Sequence, residues 1–467
     1  MTSAARFALS ALPFALPRSA LPDNVWPALP DAAASRVLAL EFQLQQSQWW
    51  PPEVIEARQF EQLQHVLAHA QLTVPFYRQR PAAIDLRAPL DRERWMRIPI
   101  LSRQALQLNK DALLSRAVPA QHGAVGEVSS SGSTGRPFTI HATDYVSLMG
   151  HVFTLREHFW HRRNLAGKLC AIRHQDGESA LPPAGGRLPG WGPATDVAYR
   201  TGACAVLHIR ASVSEQAQWL LREAPDYLLT YPTSARELIR FFRDRGLKLP
   251  RPLELRTVSE ALPADLRALA REVWNAKVVD MYSARETGYI ALQCPEFEHY
   301  HVQSENLLVE ILDDAGRPCR PGEVGRVVLT TLHNFATPLI RYDIGDYAEV
   351  GGPCRCGRGL PVLTRIMGRV RNMLALPNGE RQWPSLRFDV VHEIAPILQL
   401  QVAQTGPNRL EVRLVVARAL TAAEEAAVAE HLCNSLRHRF DIAFRYVGEI
   451  PRGPTGKFEE FVSELDA

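Results

Sequence analysis

The chain has 467 residues, of which 46% are hydrophobic, and this content is typical of a globular protein with a large buried core. Because a single core rarely grows past about 250–300 residues, the length predicts more than one domain. The 53 basic and 50 acidic residues give a formal net charge of +3, which is too balanced to indicate a nucleic acid or an anionic membrane as partner. The sequence also lacks the run of about 18 apolar residues that predicts a membrane span.

The N-terminal 30 residues are rich in Ala, Pro and Leu. Because Pro13 and Pro17 interrupt the apolar stretch, we expect an extended surface arm rather than a targeting segment. The seven cysteines are an odd number in a long chain, so a reducing, cytoplasmic environment is expected rather than a disulfide framework.

Hydrophobic periodicity predicts helices over residues 36–47 and 59–71. Residues 215–246 are expected to form two helices around the break at Tyr231-Pro232. Short β-branched or apolar runs predict strands at 168–172, 205–209, 253–258 and 277–281. Strands that alternate with helices predict an α/β fold.

The pattern changes towards the C-terminus. Residues 307–312 and 325–331 are strand-like and separated by turn residues, which predicts a small antiparallel β region. Further strands are predicted at 410–416 and 440–447, with a helix between them that begins at Thr421. Glu424 stands three residues later, in capping-box position. We therefore expect a large N-terminal α/β domain over residues 1–369 and a small α+β C-terminal domain over residues 370–467.

The strongest local motif is the run from Ser129 to Pro137, which reads Ser-Ser-Ser-Gly-Ser-Thr-Gly-Arg-Pro. Glycines and hydroxyl side chains let a backbone approach phosphate oxygens and donate hydrogen bonds to them. The run lacks the Gly-Lys-Ser/Thr ending of a P-loop NTPase. Taken alone, it is equally compatible with an ordinary surface loop.

Together with five later motifs in the same order, this run resembles the phosphate loop of the adenylate-forming superfamily, which includes acyl-CoA synthetases, peptide-synthetase adenylation domains and luciferases. Residues 74–78 and 98–101 resemble early segments of its phenylacetate–CoA ligase and capsule-biosynthesis (CapK-type) branch. The resemblance extends from about residue 60 to the end of the chain. It implies that Mg-ATP and a carboxylic acid give an acyl-adenylate and pyrophosphate, and that the C-terminal domain is mobile.

The same resemblance implies a nucleotide site. The residues expected to contact the phosphates are Ser130, Ser131, Gly132, Ser133, Thr134 and Gly135. Ser259 and Glu260 are expected beside the adenine, together with Tyr282 and its neighbour Ser283. Asp346, in Tyr-Asp-Ile-Gly-Asp, is expected to accept hydrogen bonds from both ribose hydroxyls, since one carboxylate has two acceptor oxygens.

Catalytic roles follow from the remaining motifs of the family. Glu286 is expected to help hold Mg²⁺, which prefers hard oxygen ligands. Arg285 stands where the family usually has Thr or Ser, and a guanidinium there suits a phosphate contact. Arg365 opens the hinge motif and is expected to reach a ribose or phosphate oxygen. Lys457, in Thr-Gly-Lys, is expected to bridge the carboxylate and the α-phosphate during attack.

The hinge departs from the family pattern. The family usually has Asp-Asp after Gly-Arg-x, whereas this chain has Arg371-Asn372. This departure and Arg285 motivate an alternative of another class, a catalytically silent nucleotide-binding protein. A zinc-stabilised interaction module is a further alternative.

Cys354-x-Cys356 forms a tight cysteine pair, and Cys294 and His301 lie upstream of it. Three thiolates and one imidazole match a closed structural Zn²⁺ site, with buried free thiols as the alternative. Some members of the branch carry zinc on such a set. His301 is preferred to His299 because it fits the branch's His-x-x-x-Glu pattern.

No motif identifies the acyl acceptor or the acid. Coenzyme A is the acceptor that the resemblance implies, with an amine or a carrier protein as alternatives. An aromatic acid is the default substrate of the family, and a homodimer is compatible with the branch.

Overall fold

The structure is a computed structural model that describes residues 16–24, 26–80, 89–129, 138–175, 177, 179–369, 373–384, 386, 388–453 and 456–465. The predicted phosphate-loop residues 130–135 therefore lie outside the described residues. They fall between two paired strands, Val125–Ser129 and Thr139–Thr143.

Within the described residues, the helices differ widely in length. They are α1 (Ala32–Ser47), α2 (Pro52–Thr73), α3 (Pro75–Arg78), α4 (Arg92–Met96), α5 (Arg103–Leu108), α6 (Asp144–Trp160), α7 (Pro193–Asp196), α8 (Val213–Glu223), α9 (Pro232–Asp244), α10 (Leu266–Trp274), α11 (Phe388–Ile394) and α12 (Ala422–Leu436). Proline at the first position starts α2, α3, α7 and α9, where its missing N–H costs no helical hydrogen bond.

The strands are distributed from residue 125 to residue 463. They are β1 (Val125–Ser129), β2 (Thr139–Thr143), β3 (Leu169–Arg173), β4 (Gly186–Leu188), β5 (Cys204–His208), β6 (Tyr227–Thr230), β7 (Glu254–Val258), β8 (Lys277–Ala284), β9 (Gly288–Gln293), β10 (Tyr300–Val302), β11 (Leu307–Leu312), β12 (Val324–Thr331), β13 (Tyr342–Val350), β14 (Val362–Arg369), β15 (Leu374–Ala375), β16 (Arg381–Gln382), β17 (Ile397–Gly406), β18 (Arg409–Val416), β19 (Asp441–Tyr446) and β20 (Phe461–Ser463).

In the described part of the chain, one twelve-stranded sheet has the order β11-β12-β13-β14-β10-β9-β8-β7-β6-β3-β5-β4. The strands β3, β5, β6, β7 and β8 are parallel. The antiparallel strands β9 to β14 continue the same sheet, because β10 pairs with both β9 and β14. The small antiparallel β region predicted from residues 307–312 and 325–331 is therefore part of the main sheet.

The two faces of the parallel part of the sheet have different neighbours. Alternate residues such as Cys170, Ile172 and Leu255 point into a core that contains α8, α9 and α10. The residues between them, such as Leu169 and Ala171, face the other side. That side carries the cavity described below, with α6 along it. Strand alternation thus divides the sheet between a packed core and a cavity wall.

A second, four-stranded sheet has the order β19-β18-β17-β20 and lies in the C-terminal hundred residues. Its core is separate and contains Leu374, Val402, Val412 and Leu432. Helix α12 begins after Thr421, whose hydroxyl accepts from the Glu424 N–H while the Glu424 side chain accepts from the Thr421 N–H. The predicted capping box is confirmed.

The predicted helices near residues 36–47 and 59–71 are confirmed by α1 and α2. The expectation of two helices filling residues 215–246 was wrong in one respect, because the strand β6 separates α8 from α9. Among the described residues, no helix combines the length and the apolar character needed to cross a membrane.

Candidate active site

A cavity of about 610 Å³ opens at the carboxyl ends of the parallel strands. Its wall includes Arg173 at the end of β3, Tyr231 after β6, Ser259 after β7 and Ser283 near the end of β8. Ligands of open α/β sheets bind outside these strand ends. The cavity therefore occupies the position in which the fold most often holds a substrate.

Tyr282 and Asp346 meet at one wall of this cavity. The Tyr282 hydroxyl donates to Asp346 Oδ2 at 2.7 Å, and Arg369 Nε lies 3.4 Å from Asp346 Oδ1. Burial, reinforced by the Asp346 carboxylate, raises the pKa of Tyr282 well above its ordinary value. The tyrosine therefore stays a neutral donor that orients the carboxylate.

Lys457 enters the same cavity from the C-terminal part of the chain. Burial lowers the pKa of its ammonium group and Arg369 lowers it further, while Asp346, Glu260 and Glu286 act in the opposite direction. The three carboxylates thus partly offset the effect of burial and of Arg369 on the pKa of this ammonium group. Such a group can stabilise negative charge that develops on a bound substrate.

Glu260 holds the segment that carries Lys457. Its Oε1 accepts from the backbone N–H of Phe458 at 2.8 Å, and its Oε2 accepts from the N–H and the hydroxyl of Thr233 at 3.1 and 2.7 Å. Burial raises the pKa of Glu260. A second contact joins Arg452 Nη2 to Glu237 Oε2 at 3.0 Å.

Ser259, just before Glu260, has a φ of +78°, which is uncommon for a residue with a side chain. Backbone in this region costs about 1–3 kcal/mol and is concentrated at functional sites. The turn places both Ser259 and Glu260 on the cavity wall.

The chain resembles known proteins over most of its length, although no family model matches it. It is 26% identical over 414 residues to phenylacetate-coenzyme A ligase of Thermus thermophilus, covering 83% of this chain and 89% of that protein. It is 25% identical over 434 residues to phenylacetate-coenzyme A ligase of Escherichia coli, covering 85% and 92%. A shorter match, 23% over 243 residues and about half of each chain (50% and 51%), is to protein CapK of Staphylococcus aureus.

Among solved structures, 2-hydroxyisobutyryl-CoA ligase in its postadenylation state with 2-HIB-AMP superposes with a TM-score of 0.71 at 18% identity. The superposition covers 90% of this chain and 92% of that one. The matches over most of the chain support the phenylacetate–CoA ligase-like branch of the adenylate-forming superfamily. The expected α/β fold of such a ligase is thereby confirmed.

The ligase superposes less well, with a TM-score of 0.58, on 2-hydroxyisobutyryl-CoA ligase in its thioesterification state.

Most of the predicted site residues of the ligase lie at this cavity. Its walls include Ser259, Glu260, Tyr282, Ser283, Arg285, Glu286, Asp346 and Lys457. Glu286 is 7% exposed, so its carboxylate is largely shielded from water.

Arg365 is not brought to the cavity. Its side chain is 65% exposed and pairs with Glu349 at 2.6 Å. Arg369 lines the cavity instead and contacts Asp346. The sequence reasoning missed Arg369, although it stands in the same Arg-Ile-Met-Gly-Arg motif.

The cysteine and histidine residues of the ligase form a separate cluster. Among the described residues, the ligand atoms of Cys294, His299, His301 and Cys354 all lie within 4.8 Å of one another. Cys356 Sγ lies 3.3 Å from His301 Nε2. The structure thus gathers the four predicted ligands and adds His299, whose Nε2 is 3.0 Å from Cys354 Sγ.

The chemistry of this cluster fits a Zn²⁺ ion. His301 Nδ1 lies 3.4 Å from the Leu360 carbonyl oxygen, which can only accept, so a hydrogen on Nδ1 leaves the Nε2 lone pair towards the cysteines. Ligating histidines commonly donate their other N–H to a carbonyl in this way. Burial lowers the pKa of His301 to about 3, which keeps the imidazole neutral.

Proposed function

We propose that the ligase uses ATP to convert a carboxylic acid into an acyl-adenylate and then transfers the acyl group to coenzyme A. The observation that carries this proposal is the convergence of Lys457, Glu286 and Asp346 on one cavity at the carboxyl ends of the parallel strands. A pure nucleotide binder has little use for a half-buried lysine among carboxylates.

In the first step, a carboxylate oxygen attacks the α-phosphorus while the bond to the bridging oxygen breaks and pyrophosphate leaves. The Lys457 ammonium would lie between the two reacting groups and neutralise the charge that accumulates there. Most of the rate enhancement would come from positioning and electrostatics, as in other phosphate chemistry.

The nucleotide would be held by the residues already at the cavity. We assign Asp346 to the ribose hydroxyls, Tyr282 to the adenine and Arg285 to the phosphates. Residues 130–135 would complete the phosphate contacts. Arg369 reaches Asp346 and takes over the ribose or phosphate contact first expected of Arg365.

Glu286 would hold Mg²⁺ together with the phosphates of ATP. A buried carboxylate in the cavity fits this ion, which takes oxygen ligands and shares them with substrate phosphates. When bound, Mg²⁺ neutralises phosphate charge.

For the acyl acceptor, coenzyme A is favoured because the relatives that match over most of the chain are named as coenzyme A ligases. An amine or a carrier-protein thiol would accept the same adenylate. We also propose that residues 1–369 form the adenylating domain and residues 370–467 a mobile domain that delivers Lys457. A cytoplasmic location suits the seven free thiols and the use of ATP.

For the cysteine and histidine cluster, we propose structural Zn²⁺ bound by Cys294, His301 and Cys354. The fourth ligand would be Cys356 or His299. Because four protein ligands fill a tetrahedral site, this ion would tie β9 and β10 to the turn before β14. It would take no part in the reaction.

The test is pyrophosphate release from Mg-ATP with a panel of aromatic, fatty and amino acids, each with and without coenzyme A. Release that depends on one acid, and that rises with coenzyme A, supports the proposal. Acid-dependent release that coenzyme A does not change would favour an amine or a carrier protein. No release with any acid, while ATP still binds, would favour the catalytically silent nucleotide binder.

A further inference from the structure

The cavity continues well below the strand ends, between the sheet and α6. Its deeper walls include Leu169, Ala171, Val206 and Leu229, which are apolar. On β7, Arg256 stands three residues before Ser259, which corresponds to about 10 Å of strand. A substrate with an apolar body therefore has space beneath the nucleotide site.

The far part of this space is polar. We call it the inner end and define it by Thr154, His158, Trp191, Arg256 and Tyr289, all of which line the cavity. Thr154 and His158 are four residues apart on α6 and therefore share one face of the helix.

Arg256 is the first donor of the inner end. It is 4% exposed, and its Nη2 donates to Glu157 Oε2 at 2.7 Å. Arg163 also binds both oxygens of Glu157, at 2.5 Å each. Arg256 Nε is fully enclosed by protein and Nη2 is used by Glu157. Nη1 is not among the enclosed atoms and has no hydrogen bond to a described residue, so it is the nitrogen that can donate to a ligand acceptor in the cavity.

His158 is the second donor. Its Nδ1 lies 3.0 Å from Arg163 Nη1, and a guanidinium can only donate, so Nδ1 accepts. Burial, together with the nearby Arg256, lowers the pKa of His158 well below its ordinary value. The neutral ring therefore carries its hydrogen on Nε2.

Tyr289 supplies an acceptor. Its hydroxyl lies 3.0 Å from Thr154 Oγ1, and Thr154 donates its own hydrogen to the Gly150 carbonyl at 2.9 Å. The Tyr289 hydroxyl is then the donor in its contact with Thr154. Its oxygen lone pairs remain available for another donor.

Arg256 and His158 can donate hydrogen bonds at the inner end and Tyr289 can accept one, and this combination matches a hydroxyl group on the ligand. A hydroxyl accepts one or two hydrogen bonds and donates one. A second carboxylate is disfavoured, since it has no hydrogen for Tyr289 and the charges of Arg163, Arg256, Glu157 and Glu254 already balance within their ion-pair network.

We propose that the acid activated by this ligase carries a hydroxyl group at the end remote from its carboxylate, and that Arg256, His158 and Tyr289 receive this hydroxyl. This inference rests on the proposed function and specifies its substrate class. A site built to bind a hydroxyl rejects the analogue that lacks it, because its buried polar groups are then left without partners.

The test compares matched acids by kcat/KM for pyrophosphate release: 4-hydroxyphenylacetate with phenylacetate, 4-hydroxybenzoate with benzoate, and 8-hydroxyoctanoate with octanoate. We expect the hydroxylated member of the best pair to be preferred by about tenfold or more. Tyr289→Phe keeps the ring but removes the hydroxyl, and it should therefore lower that ratio. Arg256→Met should bring the ratio towards one. Tyr446→Phe, on an exposed tyrosine of β19, is the matched control.

Equal or reversed ratios in the wild type, with clear pyrophosphate release, would overturn this inference and leave the proposed function intact. If no acid gives pyrophosphate release, the hydroxyl site is tested instead by measuring ligand binding. The probes are the non-hydrolysable sulfamoyl-adenosine analogues of 4-hydroxyphenylacetate and phenylacetate, measured by calorimetry. Tighter binding of the hydroxylated analogue, lost in Tyr289→Phe, supports the inner end as a hydroxyl site; equal binding refutes it.

Discussion

The carboxylate of Glu260 accepts a 2.8 Å hydrogen bond from the backbone N–H of Phe458, the residue next to Lys457. The other oxygen of Glu260 is bound by Thr233 at the start of α9. One partly buried side chain thus connects the main sheet to the segment that inserts the lysine. The position of Lys457 in the cavity should depend on this contact.

Glu260→Gln should release that segment, because the amide offers a single acceptor oxygen to donors that now bind two. Hydrogen bonds to a charged group contribute about 1.5–3 kcal/mol, so we expect pyrophosphate release to fall about tenfold or more. Without ATP, trypsin should also cleave faster after Arg452 or Lys457. Glu272→Gln, on an exposed residue of α10, is the control. Unchanged cleavage would show that Glu260 does not hold the segment.

Lys457→Ala should impair adenylation and leave the fold intact. Removing one group that stabilises developing charge typically costs about 10²–10³ in rate, and we expect a loss of that size in pyrophosphate release. The unfolding midpoint should stay the same, since Lys457 belongs to no core cluster. Lys248→Ala, on an exposed loop residue, should behave as wild type. Normal pyrophosphate release in Lys457→Ala would refute the role proposed for the lysine.

The order of the motifs was sufficient to predict Tyr282, Glu286, Asp346 and Lys457, which the structure brings to one cavity. The order of the motifs was not sufficient to predict which arginine of β14, Arg365 or Arg369, lines the cavity. Arg365 and Arg369 are four residues apart and would share a face in a regular strand. However, β14 contains a β-bulge. Tyr347 of β13 pairs with Gly368 and the next residue, Ala348, pairs with Ile366, so Met367 is an extra residue without a partner on β13. This bulge turns Arg365 towards Glu349 and Arg369 towards Asp346.

A β-bulge is difficult to predict from a single sequence. Gly368, with a φ of +96°, was its only local sign. The inner end of the cavity was equally unreadable, because Arg256 and His158 come from β7 and α6, about a hundred residues apart. Strand β6 escaped detection because its four residues lie between two helices with stronger periodicity.

The cysteine and histidine cluster predicts about one zinc ion per chain by elemental analysis of protein purified without a metal-binding tag. Cys354→Ser should remove most of the metal and lower the unfolding temperature, because metal binding contributes to folding free energy. Cys433→Ser, at a thiol outside the cluster, should keep it. Metal-free wild-type protein would refute the site.

Two further variants distinguish Cys356 from His299 as the fourth zinc ligand. If Cys356 is a ligand, Cys356→Ser should weaken zinc binding and His299→Ala should leave it unchanged. The tighter grouping of Cys294, His299, His301 and Cys354 predicts the opposite result. Competition with a chromophoric chelator measures both affinities, so either pattern identifies the ligand.

Asp280 should make stability fall as pH rises. Burial raises its pKa from 3.8 to about 6, against the hydrogen bonds that its oxygens accept from Thr257 and Tyr300. Between about pH 4 and 6 the folded protein thus holds a proton that the unfolded chain releases, so the free energy of unfolding decreases through this window, by about 3 kcal/mol for a shift of this size. Asp280→Asn has no such proton, and denaturant unfolding should show the wild type losing stability relative to it from pH 4 to 6. Asp244→Asn, on a side chain that is 63% exposed, should run parallel to wild type. Parallel curves for wild type and Asp280→Asn would mean that Asp280 is already ionised at pH 4 in the folded protein.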